Sequence, residues 1–223
     1  MKKFLIFMLI LSLFGGMNQL YAQQEEDTTK YLLSEEVVLS GFGSPFVEFS
    51  SVNDQFAVCV GAGGALMINQ AIFIGAYFEG LVTNHFMEDL KTYVNIEKPK
   101  VSFEHGGLWL GYVFKHKKPV HGGLSMKLGW GEISLEGDGY DYDPDLDYDY
   151  TDRIFSVLPQ LELELNMTRW FRINAGVGYR FVTGIDATYL DDDGNQADFY
   201  DKSDFDSFTG TVSLIFGGPK RKP

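Results

Sequence analysis

The chain has 223 residues, with 31 acidic and 18 basic side chains for a formal net charge of −13, and it is 15% aromatic with 25 glycines and 7 prolines. Less a leader, that length suits one domain better than two. A lone cysteine, Cys59, excludes an intrachain disulfide, and the acidic balance argues against nucleic acid, whose phosphates it would repel.

In chain order the first element is a leader. Lys2 and Lys3 precede the apolar run from Phe4 to Phe14, and Tyr21-Ala22 stands before Gln23 as a cleavage site, which predicts a signal peptide over residues 1–22. The run is shorter than the ~20 residues of a spanning helix. Gly15-Gly16 also break it. A short periplasmic segment, 23–38, is expected to follow, and the mature chain starts without the cysteine of a lipoprotein.

Eight stretches of alternating residues come next, near Leu39–Ser50, Gln55–Ile68, Ala71–Thr83, Phe103–Phe114, Val120–Glu136, Arg153–Met167, Phe171–Ile185 and Phe205–Phe216. The fifth sets Leu124, Met126, Leu128 and Trp130 against Ser125, Lys127, Gly129 and Gly131. The sixth sets Phe155, Val157, Leu161, Leu163 and Leu165 against Gln160, Glu162, Glu164 and Asn166, and the seventh sets Ile173, Val177 and Phe181 against Arg172, Asn174 and Arg180. A slip of one residue would turn these charges to the wrong face, so register is strongly specified. Pro45 and Pro159 are the awkward members and demand weakly paired places.

Alternation alone also fits a soluble sandwich or a lipocalin-like barrel with the apolar face inward. Strand length and loop rhythm argue for a membrane. Many stretches exceed the ~5–6 residues of globular strands and suffice for the ~9–11 of a tilted membrane strand. Turns after strands two, four and six are tight (Asn69-Gln70, Lys115–Pro119, Thr168–Trp170), whereas long connections follow strands three, five and seven. Short turns on one rim and long loops on the other characterise outer-membrane barrels, with the short rim periplasmic. The reading is an all-β, eight-stranded antiparallel up-and-down transmembrane β-barrel over 39–217, with both termini periplasmic and a basic tail at 218–223.

Eight strands enclose a lumen that side chains fill. Its expected polar network comprises Lys127, Glu162, Glu164, Arg172 and Arg180. A short turn between strands six and seven puts Glu164 opposite Asn174, within diagonal reach of Arg172. This is internal charge pairing in a confined space rather than a conduit or a catalytic dyad. The echo His105-Gly106-Gly107-Leu108-Trp109 and His121-Gly122-Gly123-Leu124-Ser125 opens antiparallel neighbours, so its histidines belong at opposite ends.

Sixteen of the 31 carboxylates lie in two connections, Glu136–Asp152 and Asp186–Asp206, on the outward rim; the inward rim carries Lys115, Lys117, Lys118 and Arg169. Solvation is the plain role of such loops. Asp141, Asp143, Asp145, Asp191 and Asp193 nevertheless sit around glycines as hard oxygen ligands that suit Ca²⁺. An EF-hand would need acids where Tyr189 and Tyr200 stand, so it is not that motif. No other cofactor is expected. Tyr140, Tyr142, Tyr148 and Tyr150 interleave with the acids and make an adaptable contact surface for a protein or glycan.

Several motifs carry a resemblance: Gly41-Phe42-Gly43-Ser44-Pro45, Gly61-Ala62-Gly63-Gly64, Gly75-Ala76-Tyr77-Phe78, Gly107-Leu108-Trp109-Leu110-Gly111-Tyr112 and Gly176-Val177-Gly178-Tyr179-Arg180-Phe181. Over the mature chain this resembles small outer-membrane β-barrel domains of the porin-family or OmpA-transmembrane-like kind. The resemblance implies a fold and a membrane of outer-membrane lipid in a diderm bacterium, not a mechanism. It departs from that pattern in the tail after Phe216, where such barrels usually end on an aromatic, and in lacking a following peptidoglycan-binding domain. The function expected is a non-enzymatic structural, envelope-integrity or surface-interaction role. An accessory barrel of a larger complex is the alternative, and a narrow porin or a lipid A-modifying enzyme ranks below it. Such an enzyme needs Ser, His and a carboxylate together near the outer leaflet; His121 and Ser125 fall at the inward end of the lumen, and His85 has no serine partner.

Overall fold

A computed structural model describes residues 37–87, 98–137, 151–190, 195–201 and 203–217. Its strands are β1 (Leu39–Val52), β2 (Gln55–Ile68), β3 (Ile72–Leu81), β4 (Pro99–Val113), β5 (Val120–Gly137), β6 (Thr151–Asn166), β7 (Phe171–Thr183), β8 (Thr188–Leu190), β9 (Gln196–Asp198) and β10 (Ser207–Gly217). Eight of them close into an antiparallel barrel in the order β1-β10-β7-β6-β5-β4-β3-β2, while β8 and β9 form a separate hairpin.

The pairings set the barrel's dimensions. A row of partners from Leu39 passes through Ile68, Ile72, Tyr112, Leu124, Leu161, Val177 and Gly210 and regains β1 at Phe49, ten residues further along. A stagger of that size in eight strands tilts them by about 40° and leaves a backbone radius of about 8 Å, room for side chains and little else. Left-handed residues make the tight turns: Asn53 and Asp54 (φ 49° and 57°) join β1 to β2, and Asn69 and Gln70 (φ 52° and 59°) lead into β3, the conformation that a primed hairpin turn requires.

Both awkward prolines occupy gaps in a ladder. The β1–β10 pairing passes from Gly43↔Phe216 to Phe46↔Ser213 across Pro45, and the β6–β7 pairing passes from Val157↔Phe181 to Gln160↔Gly178 across Pro159. Each proline faces outward, where its missing N–H leaves no partner stranded.

Most strand limits shift by one or two residues from the sequence expectation, and three departures matter for the interior. β4 begins at Pro99 rather than Phe103, because Pro99, Lys100 and Val101 pair with Gly137, Glu136 and Leu135. β10 begins at Ser207, and Phe205 instead folds into the long-loop mouth as a fully buried plug. The connection after β7 holds the β8–β9 hairpin rather than plain loop. The expected leader and basic tail lie outside the described residues.

The interior has two apolar clusters. Near the long-loop mouth Val52, Phe103, Ile133, Ile154 and Val182 pack with Phe199, Tyr200 and Phe205 from the β9–β10 connection. On the β1–β4 side toward the other end, Phe42, Phe46, Phe73, Tyr77 and Trp109 form the second. Its rings meet edge to face, Trp109 lying 5.6 Å from Phe42 and 5.4 Å from Phe73, the arrangement that ring quadrupoles favour.

Candidate functional site

Between the clusters lies a charged belt. Inward alternation on β1 (Phe42, Ser44, Phe46, Glu48, Ser50) buries Glu48, and β7 brings Arg180 to it across the closure seam. Arg180 is completely buried. Its Nη1 donates to Glu48 Oε1 at 3.0 Å and Ser50 Oγ at 3.2 Å, its Nη2 to the Ser51 carbonyl at 3.1 Å, and its Nε to the Phe205 carbonyl at 3.0 Å. One guanidinium thereby ties the seam, a buried carboxylate and the plug of the long-loop mouth together. Backbone pairing of β1 with β10 stops at Phe49↔Gly210, and Ser51 N–H donates to Ser207 Oγ at 2.8 Å beyond that point.

Lys127 Nζ donates to Glu79 Oε2 at 2.7 Å, lies 3.9 Å from Glu48 Oε2 and stands 3.6 Å above the Phe46 ring. Glu79 Oε1 is 3.0 Å from His105 Nε2, and Tyr77 Oη is 3.0 Å from His105 Nδ1. Two carboxylates then balance one ammonium and one guanidinium, which is how charge survives burial at tolerable cost.

A second network lies toward the short-turn rim. Glu164 Oε1 accepts from Arg172 Nη1 at 2.9 Å and is 2.9 Å from His121 Nε2; Glu162 accepts from Ser125 Oγ at 2.5 Å and Asn174 Nδ2 at 3.0 Å. Gln160 Nε2 reaches Thr211 Oγ1 at 2.7 Å, crossing β7. That path needs glycine beneath it, for a Cβ on Gly178 would meet Gln160 Cγ at 2.9 Å.

The structure therefore places Lys127 and Arg180 in the central belt, and Glu162, Glu164 and Arg172 in the second network. Glu48 and His105 are members that sequence reasoning missed, although each falls on the inward phase of its strand. An enclosed carboxylate at Glu48 is itself the signal that a cation must come to meet it. Asp141, Asp143, Asp145, Asp191 and Asp193 lie outside the described residues. His121 and Ser125 bind different glutamates, and His85 Nε2 meets Thr83 Oγ1 at 2.9 Å. None of these histidines stands beside a serine as a nucleophile's base would.

At the long-loop mouth Asp152 accepts from the N–H groups of Asp186 and Ala187, both at 3.1 Å, and Asp206 from that of Val182 at 2.9 Å. Burial, and then the charges of Asp152 and Asp204, push the Tyr200 phenol up and keep it protonated.

The outer wall is apolar between two rings of aromatics. Tyr112, Phe114, Trp170, Phe171 and Phe216 ring the short-turn end, with Trp170 and Phe171 both stacked on Phe216. Phe49 and Phe56 stack at the long-loop end, where Trp130 meets Phe155 and Tyr179 meets Phe181 and Phe208. Ten residues separate Phe171 from Phe181 along β7, about 25 Å after allowing for tilt. Glu104, Glu132 and Arg153 are outward charges just past the second ring.

No family model matches the chain, and no curated protein matches it by sequence. Among solved structures it is similar to Neisserial surface protein A (NspA), with a TM-score of 0.50 at 12% identity over 83% of this chain and all of that one. Also similar are the N-terminal β-barrel domain of Pseudomonas aeruginosa OprF (TM-score 0.44, 9% identity, 82% of this chain and 99% of that) and the Yersinia pestis attachment invasion locus protein Ail (0.44, 13%, 82% and 99%). The chain has the fold of the small eight-stranded outer-membrane barrels.

Proposed function

We propose that the protein is a non-enzymatic barrel of the outer membrane of a diderm bacterium, with a structural or surface-interaction role exercised through its acidic, tyrosine-rich long loops. The apolar wall about 25 Å tall between two aromatic rings carries this reading, because lipid is the solvent for which such a wall is built. A lumen occupied by paired charges and an aromatic plug supports a scaffold over a conduit. With the long-loop rim outward, both termini are periplasmic and the acidic loops face the medium, available to a protein or glycan. Whole-cell labelling tests this orientation. Cysteines placed in 138–150 should react with an impermeant maleimide on intact cells, and a cysteine at Lys117 should react only after permeabilisation; the reverse result would reject it.

One observation favours a second reading, an accessory subunit of a larger outer-membrane complex. Gly41, Gly43, Pro45, Ala62, Gly64 and Ala76 adjoin on the outer face of β1–β3 and leave the wall nearly bare of side chains. A neighbouring membrane protein can approach closely there. Co-purification in native detergent, repeated with Gly43→Leu, should lose a stoichiometric partner if this face is used.

A further inference from the structure

We propose that one sector of the short-turn rim binds anionic phospholipids of the adjoining leaflet, their phosphates held by Lys117, Lys118 and Arg169. The proposal rests on the membrane reading above. The β4–β5 turn carries Lys115, Lys117 and Lys118, and the β6–β7 turn carries Arg169; all four are exposed. None makes an ion pair with a described residue. Among the described residues no exposed carboxylate lies on this rim, because Glu162 and Glu164 are bound inside the lumen to Ser125, Asn174, Arg172 and His121. On an otherwise acidic chain these four cations make a local positive field that attracts anions.

The patch has a fixed frame. Asn166 Nδ2 donates to the carbonyls of His116 at 3.2 Å and Lys118 at 2.9 Å, and Asn166 N–H donates to the Pro119 carbonyl at 2.8 Å. Lys118 N–H closes the turn on the Lys115 carbonyl at 2.9 Å. The end of β6 thereby holds the β4–β5 turn by its carbonyls and leaves the ammonium groups to meet a ligand. The two basic turns are neighbours around the rim, joined through the β5–β6 pair Val120↔Leu165.

Their level suits a head group. Lys115 directly follows Phe114 and Arg169 directly precedes Trp170, and both aromatics belong to the short-turn ring, which marks the membrane–water interface. Between the two turns the outer wall is aliphatic, with Val120, Leu163, Leu165 and Met167 all exposed. Acyl chains lie along that wall, and the phosphates meet the cations at its edge, within reach of their long flexible stems. The remaining short turn, Asn69-Gln70, is neutral, which confines the site to one side of the barrel. At the other end Trp130 stands beside Glu104 and Glu132, which repel anionic head groups.

Two single-tryptophan barrels test this, one keeping Trp170 and one Trp130, with the other tryptophans changed to phenylalanine. Each is refolded into vesicles of phosphatidylcholine and phosphatidylglycerol, with one lipid at a time brominated high in the acyl chain. Trp170 should be quenched preferentially by phosphatidylglycerol, with a relative binding constant of about five, the factor for one basic residue at a membrane surface. Trp130 should show no such preference. Lys117→Gln, Lys118→Gln and Arg169→Gln together should abolish the preference at Trp170, whereas Lys117→Arg with Lys118→Arg should keep it. Heat-dependent gel mobility establishes that each variant is folded. Equal quenching of Trp170 by the two lipids, the same preference at Trp130, or a preference that survives neutralisation would overturn the site while leaving the membrane reading intact. Retention of the detergent-solubilised barrel on immobilised heparin through the same three residues, without a lipid preference, would assign the rim to a soluble polyanion and overturn the proposal. Quenching of neither tryptophan by either lipid would overturn the membrane reading as well.

Discussion

Replacing Arg180 with methionine keeps much of the side chain's bulk and removes its five donors. Glu48 would then be left wholly buried, with only Lys127 at 3.9 Å to offset its charge, and the carbonyls of Ser51 and Phe205 would lose their donor. Breaking a buried pair from one side costs about 3–5 kcal/mol. Each orphaned carbonyl adds about 1 kcal/mol or more. The expected loss is therefore about 5–7 kcal/mol, shared between the seam and the plug. Adding Glu48→Gln removes the stranded charge but not the stranded carbonyls, so the double variant should recover about 2–3 kcal/mol relative to the simple sum. Urea unfolding of the refolded barrel in vesicles, followed by tryptophan fluorescence, measures all four corners of the cycle. A loss below about 1 kcal/mol for Arg180→Met, or additive single effects, would refute the account of a charge belt that holds the closure.

The second network, at the short-turn rim, should tolerate less disruption than its partial exposure suggests: Glu164→Gln, which weakens contacts to both Arg172 and His121, should cost about 2 kcal/mol by the same unfolding assay. Two glycines make a sharper contrast. A Cβ on Gly107 would strike the Leu128 carbonyl whereas one on Gly210 meets nothing within 4 Å, so Gly107→Ala should lower stability by about 2 kcal/mol or more and Gly210→Ala by less than about 0.5. In planar bilayers the intact monomer should show no stable open channel, because the charge belt and the Phe199–Tyr200–Phe205 plug lie in series; a steady ohmic conductance would contradict the filled lumen.

Legibility in the sequence followed the distance over which pairing had to be inferred. The Glu164–Arg172 contact joins neighbours on β6 and β7 across a short turn, and counting outward from that turn is enough to bring them together. Arg180 and Glu48 meet only because the barrel closes, through the β1–β10 seam and across 132 residues of chain. No local alternation sets the register of that seam. Pro45 and the glycines around it also blur the inward phase of β1, which hid Glu48. Strand limits were least legible beyond the membrane wall, where apolar residues serve a different purpose. Val101 continues β4 past the aromatic ring, whereas Phe205, in phase with the inward residues of β10, leaves the strand to fill the mouth.

Quenching by lipids brominated at mid-chain tests most directly whether the apolar face meets lipid. The protein would carry one tryptophan at a time, with the other native tryptophans changed to phenylalanine: either native Trp109, buried in the lumen cluster, or Leu161→Trp on the outer wall. Strong quenching at position 161 with little at Trp109 is the predicted result. Strong quenching of Trp109 with none at position 161 would mean that the two faces of every strand have been assigned the wrong way round.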